Sequence, residues 1–260
     1  MTGMRRIAQR LREHDWLAAG LELVIVVVGI LIALQVSNWN QDRQDARRGR
    51  EYLQRLRNDL ASDRKANDHW RHFNQQVVAY GRQALAHAES GALVEGSAWK
   101  TVQAYYQASQ WSPHSRETST FNTMLFSGDL RLVADPALRD ELSFYYTSSS
   151  VNDSDGNVFN ELPSYRTRVR GLTPYAAQEY IWSRCYRMRG RDDVQELVDC
   201  QAPIPQAESS AILEAYGRDA ALLPELRYWL ANRRVAFMVD SSRGRQAREL
   251  EADVAAALAR

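Results

Sequence analysis

The sequence predicts an all-α protein: a single N-terminal transmembrane helix continuing into a long-helix bundle domain. Three observations carry that prediction. An apolar run near the N-terminus is long enough to cross a bilayer. Ala, Leu, Arg, Gln and Glu are plentiful, while the 260 residues include only 13 Gly and 7 Pro and almost no period-two alternation. Beyond Asn40, apolar residues recur at three- and four-residue spacings. The expected division is a basic arm over 1–15, a transmembrane helix over 16–37 and a helical soluble domain over 38–260.

The span is argued from its composition. Between Trp16 and Val36 the one charged residue is Glu22, and Leu23 to Leu34 contains no polar side chain. A helix of that length rises about 31 Å, enough to cross the hydrocarbon core. Val and Ile are mediocre helix formers in water, but lipid leaves the backbone no partner except itself. Trp16 and Trp39 stand where interfacial anchors belong. A cleaved signal peptide would use Arg5, Arg6, Arg10 and Arg12 as its charged region. The apolar run is too long for one, and no small-x-small cleavage site precedes Asn38. The core helix of a soluble protein would show a polar face, which this run lacks.

The arm before the span reads equally as a short amphipathic helix on the bilayer surface or as a solvated tail carrying topology charges. Within the span, Ala18, Glu22, Ile25, Gly29, Ala33 and Val36 fall on one stripe, and Gly29-x-x-x-Ala33 is a small-residue pair that admits a second helix. Ala18, Glu22, Gly29 and Ala33 form the expected packing face. Glu22 reads either as part of that face or as an interfacial carboxyl reaching water.

Basic residues near the two ends of the span nearly balance, so they do not settle orientation. The cysteines add to the reading. Cys185 and Cys200, the only two, lie 15 residues apart across a loop. They fit a disulfide in an oxidising compartment, with two buried thiols as the other reading. The expectation is a cytoplasmic N-terminus, a bacterial inner membrane and a periplasmic body.

The body reads as a succession of helices. The first runs over Gln41–Ala88, with a seam of Leu53, Leu56, Leu60, Trp70, Phe73, Val77, Tyr80 and Ala84 that Asp63 and Asn67 interrupt. Residues 90–96 connect it to a helix capped by Ser97. A loop over 111–119 precedes a short helix ended by Gly128. Residues 129–135 read as an extended link, and Asp135-Pro136 as a cap followed by Pro in the first turn. Residues 148–156 are either loop or continuing helix. A helix over 159–169, one opened by Thr173-Pro174, a loop over 189–206, a helix starting at Ser209 and a last long helix opened by Leu223-Pro224 complete the expectation.

The span and its exit, Glu22 to Asn40, resemble the signature of a family of bacterial single-pass membrane proteins, domain of unknown function 6090. Phe121-Asn122, Ser127 to Val133 and Leu138 to Tyr146 resemble a second block of that family. The resemblance implies a bacterial envelope protein. It implies no activity and transfers no catalytic residue.

Chemistry is sparse in the sequence. There is no Gly-x-Ser-x-Gly, phosphate-cradling Gly loop, His-Glu-x-x-His or Cys-x-x-Cys, so an enzyme is not expected, and neither is a cofactor. His69 and His72 share a helix face but read as a surface pair rather than a metal site. Asn152 to Gly156 resembles a calcium loop but places Val151 where an acid is required. With 33 Lys+Arg against 32 Asp+Glu, nothing points to nucleic acid. The aromatics Tyr105, Tyr106, Trp111, Phe121, Phe126, Phe144, Tyr145 and Tyr146 read as core, with a ligand pocket as the other reading. The expected role is structural or interaction: an anchored bundle that touches the lipid bilayer and pairs with itself as a homo-oligomer or with another envelope protein. The alternative is a periplasmic small-molecule sensor or regulatory subunit acting through a partner, since an arm of about fifteen residues holds no output module.

Overall fold

The structure, a computed structural model, describes residues 3–111, 116–153, 164–190 and 194–260; at 3–19, 148–153 and 239–240 it describes the backbone alone. The elements in chain order are α1 (Gly3–Ser90), α2 (Ala98–Ala108), α3 (Ser119–Ser127), α4 (Pro136–Asp153), α5 (Ser164–Leu172), α6 (Tyr175–Arg184), β1 (Tyr186–Arg189), β2 (Val194–Leu197), α7 (Gln206–Arg218) and α8 (Leu222–Leu258). The all-α prediction holds, with one addition: among the described residues a single two-stranded antiparallel hairpin, β1–β2, interrupts the helices.

By its contacts the chain divides into two units, Met1–Tyr52 and Leu53–Arg260. In the first, one helix near the N-terminus is long and apolar enough to cross a membrane, and its apolar window has no residue buried. Leu21, Ile25, Ile32 and Val36 are all more than half exposed, an arrangement that water penalises and lipid does not. Past Trp39 the helix turns polar, with Arg43 over the Trp39 ring at 5.8 Å and an exposed Arg47–Glu51 ion pair.

The second unit is organised around α2. Ten of its eleven residues are buried, Lys100 being the exception, so this helix faces protein on every side. Ser97 caps it, its hydroxyl accepting from the Lys100 amide at 3.2 Å. The Thr, Gln and Tyr side chains of α2 are all hydrogen-bonded, whereas the buried Trp99 Nε1 has no partner among the described residues. The Gln103 amide donates to the Val198 carbonyl at 2.9 Å and the Gln107 amide to the Cys185 carbonyl at 2.7 Å. At its C-terminal end two open carbonyls and one side chain meet donors from three residues. Trp229 Nε1 donates to Ala108 O at 2.6 Å and Arg166 to Ser109 O at 2.8 Å, while Arg170 donates to the Gln110 side chain at 3.0 Å. Two guanidinium groups therefore lie at the negative end of the helix dipole. Around α2 the core gathers Tyr165, Ile181, Tyr216, Leu226 and Trp229.

The seam of α1 is buried as its spacing predicts: Leu53, Leu56, Leu60, Trp70, Phe73, Val77 and Ala84. Asp63 and Asn67, which interrupt the seam, are buried with it at 4% exposure each. Paired contacts run in opposite senses along α1 and α8: Arg64 with Glu251, Asn74 with Arg233, Glu89 with Arg227. The two helices are thus antiparallel over this stretch. Gly81 permits their approach, because a Cβ there would collide with the Leu230 side chain.

Several expected boundaries shift. Residues 129–132 form a 3-10 turn rather than an extended link, following Gly128 in the left-handed conformation at φ 74°. Asp135 does cap α4, accepting from the Ala137 amide at 3.0 Å. The ambiguous stretch after Thr147 is helix as far as Asp153; the remainder of the 152–156 segment and residues 159–163 lie outside the described residues. Thr173 does not cap α6. Its hydroxyl closes the end of α5 on Val169 O at 2.6 Å and pairs with the Tyr216 hydroxyl at 2.6 Å. The helix expected from Ser209 starts at Gln206, and Ser209 lies inside it, fully buried.

The loop expected over 189–206 contains the strand β2, which pairs with β1 in the register Tyr186↔Leu197. The free edge of β2 is met by a side chain that imitates a strand. Gln76 of α1 donates to Leu197 O and accepts from Leu197 N, both at 3.0 Å. Cys185, at the base of β1 and fully buried, is disulfide-bonded to Cys200, with Cα atoms 5.2 Å apart.

Candidate functional site

The residues singled out from the sequence fall in separate places. Glu22, Gly29 and Ala33 are exposed, and nothing lies within 4 Å of where a Gly29 Cβ would sit. The side chains of Trp16 and Ala18 lie outside the described residues, as does His114. Trp39 is 65% exposed. His69 and His72 both face outward from α1. The aromatics divide: Tyr105, Tyr106, Phe121, Tyr145 and Tyr146 are buried, whereas Phe126 and Phe144 are 84% and 62% exposed.

Two arrangements that the sequence reading did not assemble stand out. The first is a groove of about 510 Å³ between α1 and α8. Val78, Ala79 and Leu85 of α1 and Leu230, Ala231 and Phe237 of α8 supply its apolar lining. The i, i+3 and i+4 spacings 75–78–79–82 and 230–231–234 set these residues on facing stripes, and the small side chains of Ala79 and Ala231 leave the space open. Arg82, Arg233 and Arg234 also line it, and among the described residues no carboxylate does. Arg233 is buried and stacks on Trp229 at 4.1 Å. Arg82 and Arg234 are exposed, and among the described side chains no ion pair engages either. The volume is that of a small-molecule site. A second groove, between α4 and α8, has the opposite charge. It measures about 430 Å³ and is lined by Asp140, Glu141, Glu249 and Asp253 beside Phe144.

The second arrangement is a buried carboxyl cluster. Asp59 and Asp63 are one helical turn apart on α1. Asp63 accepts from the Glu117 amide at 2.8 Å and from the Tyr145 hydroxyl at 3.2 Å. Burial pushes its carboxyl up to about 6, against the pull of those two donors and of Arg116; the Asp59 charge adds to the rise. Asp59 is also raised, first by burial. Burial and the Asp63 and Asp59 carboxylates push the Tyr146 hydroxyl up, and the Tyr146 ring stacks on Phe121 at 4.7 Å between centroids. Arg116 lies over the Tyr145 ring at 4.2 Å and donates to the Tyr145 carbonyl at 2.6 Å. Both Asp63 oxygens are engaged by protein donors, so the cluster works as a clamp between α1, α4 and the segment before α3.

The signals for both were present in the sequence. Asp63 and Asn67 break an otherwise apolar seam. The pair Arg233-Arg234 interrupts the apolar stripe of the last helix without an acid nearby in sequence.

Residues 22–79 match a family of unknown function, DUF6090. No curated protein and no solved structure matches the chain. The matched stretch starts at Glu22, takes in the apolar run and the seam of α1 through Val77, and ends at Ala79. The second block of resemblance, between Phe121 and Tyr146, lies outside it. The resemblance seen in the span therefore extends over residues 22–79, which are similar to the family of unknown function DUF6090.

Proposed function

We propose that this chain is a membrane-anchored helical-bundle protein of the bacterial envelope with a structural or interaction role, its N-terminus cytoplasmic and its body periplasmic. The observation that carries the reading is the apolar stretch of α1, exposed along its length among the described residues, on the same polypeptide as a closed helical body. The Cys185–Cys200 disulfide supports an oxidising compartment for that body. Phe126 and Phe144, large and exposed on neighbouring elements of the sequence, are the side chains on which contact with a second copy or another envelope protein would centre. The test is photo-crosslinking in cells from positions 126 and 144 of the full chain. The reading expects discrete crosslinked species from position 126 that disappear when Phe144 is replaced by Ser, and species from position 144 that disappear when Phe126 is. A chain that crosslinks to nothing from either position, or that alkaline carbonate washes off the membrane, contradicts it.

A second reading, a small-molecule sensor or regulatory subunit acting through a partner protein, is favoured by the α1–α8 groove, whose volume and mixed lining suit a small ligand.

A further inference from the structure

We infer that the α1–α8 groove binds a free single-chain anionic amphiphile, an acyl carboxylate. This rests on the second reading for its biological sense, but not on the anchored interaction role.

Charge and shape restrict the occupant. Three guanidinium groups and, among the described residues, no carboxylate line the groove, so an anion is favoured and a cation repelled. Arg82 lies on α1 and Arg234 on α8, so a head group bound between them is gripped from both helices. Neither engages an ion pair with a described side chain, which leaves their donors available. The remainder of the lining is aliphatic and aromatic: Val78, Ala79, Leu85, Leu230 and Phe237. A small hydrophilic anion would leave that apolar surface wet, and a neutral hydrocarbon would leave Arg82 and Arg234 unused. A molecule with one anionic head and one apolar chain satisfies both. The groove's 510 Å³ accommodates one such chain rather than a helix of a partner protein, which is about 10 Å across. Phe237 is held by Arg71, whose guanidinium lies 5.1 Å from the ring, so one wall is fixed in place. The oppositely charged α4–α8 groove provides an internal control on the same body.

The experiment uses the full chain in nanodiscs of zwitterionic lipid and a photoreactive dodecanoate, with labelled residues mapped by peptide mass. The expected result is labelling within 74–85 and 230–237, competed by dodecanoate and not by dodecyltrimethylammonium. The double variant R82E/R234E should lose labelling roughly tenfold or more, since two charge-assisted contacts to the head group become like-charge repulsions. The double variant E249Q/D253N, in the acidic groove, should leave it unchanged. Because Arg82 and Arg234 are exposed, folding should persist, and an unaltered circular dichroism spectrum with an intact disulfide verifies it. If R82E/R234E fails to fold, A231W, which fills the groove, provides the same comparison. Equal competition by dodecyltrimethylammonium, labelling confined to residues 20–36, or labelling unaffected by the groove variants overturns the proposal. So does retention that requires anionic lipid in the nanodisc, which would mean a bilayer surface is the ligand. Loss of labelling would leave crosslinking at 126 and 144 untouched, so the two readings fail separately.

Discussion

Replacing Asp63 by asparagine should flatten the dependence of stability on pH. In the folded protein the Asp63 carboxyl is raised from 3.8 to about 6, first by burial. The unfolded chain ionises this group near its ordinary value, so between those limits the folded state holds the proton that the unfolded state has released. Stability from this group is fully present below about pH 3.8 and is lost as the pH rises through 6. A shift of about two units corresponds to roughly 3 kcal/mol. The substituted carboxamide would preserve the geometry: its carbonyl accepts from the Glu117 amide and its NH2 reaches the Tyr145 hydroxyl. Two charge-assisted hydrogen bonds become neutral ones, at a cost of about 1 kcal/mol each above pH 6. The variant should equal or exceed the native protein by about 1 kcal/mol at pH 8 and fall below it at pH 4.5. The assay is urea unfolding of the full chain in neutral-detergent micelles between pH 4.5 and 8, followed by tryptophan fluorescence. His87 titrates in both proteins, so the difference between the two curves reports Asp63 together with the carboxyl of Asp59 that is coupled to it. Parallel curves, or a loss of more than 2 kcal/mol at pH 8, would refute the reasoning.

Three further outcomes follow from the packing. Gln76→Ala removes both bonds to the Leu197 backbone, leaving a strand edge unsatisfied. It should cost about 1–3 kcal/mol and speed amide exchange at Leu197 before exchange in α2. Cys200→Ala opens a loop of separation 15 and should cost about 3 kcal/mol in urea, a loss that dithiothreitol reproduces in the native protein and not in the variant. Gly81→Ala forces Leu230 aside and should lower stability by about 1–3 kcal/mol, whereas Gly29→Ala, which meets nothing within the chain, should leave the unfolding midpoint of the body unchanged.

Where local chemistry decides the backbone, the sequence was sufficient. Ser97, Gly128 and Asp135 sit at helix ends because each satisfies or terminates a turn by itself, and all three are found in those roles. The α1 seam was equally legible, since burying one stripe of a long helix needs only its periodicity. Distant partners were not legible. The strands β1 and β2 are four residues each, and their burial does not alternate, so nothing in residues 186–197 announces a hairpin. It depends on Gln76 and Gln103 from elsewhere in the chain. Thr173 reads as a cap because Pro follows it, but its hydroxyl is taken by Val169 and Tyr216. For the groove, the sequence shows the Arg233-Arg234 interruption of α8 but not that Arg82 lines the same space, which depends on α1 and α8 running antiparallel.

The membrane-anchored, outward-facing body is the centre of the account, and protease accessibility tests it most directly. Spheroplasts carrying the full chain should be treated with protease from outside and the products separated without reductant, after free thiols are blocked. The account predicts that residues beyond 53 are digested in intact spheroplasts, that a membrane-held fragment containing the apolar stretch of α1 survives, and that undigested chains carry the Cys185–Cys200 bond. A body protected until the membrane is lysed, or a chain recovered in the soluble fraction, would contradict it.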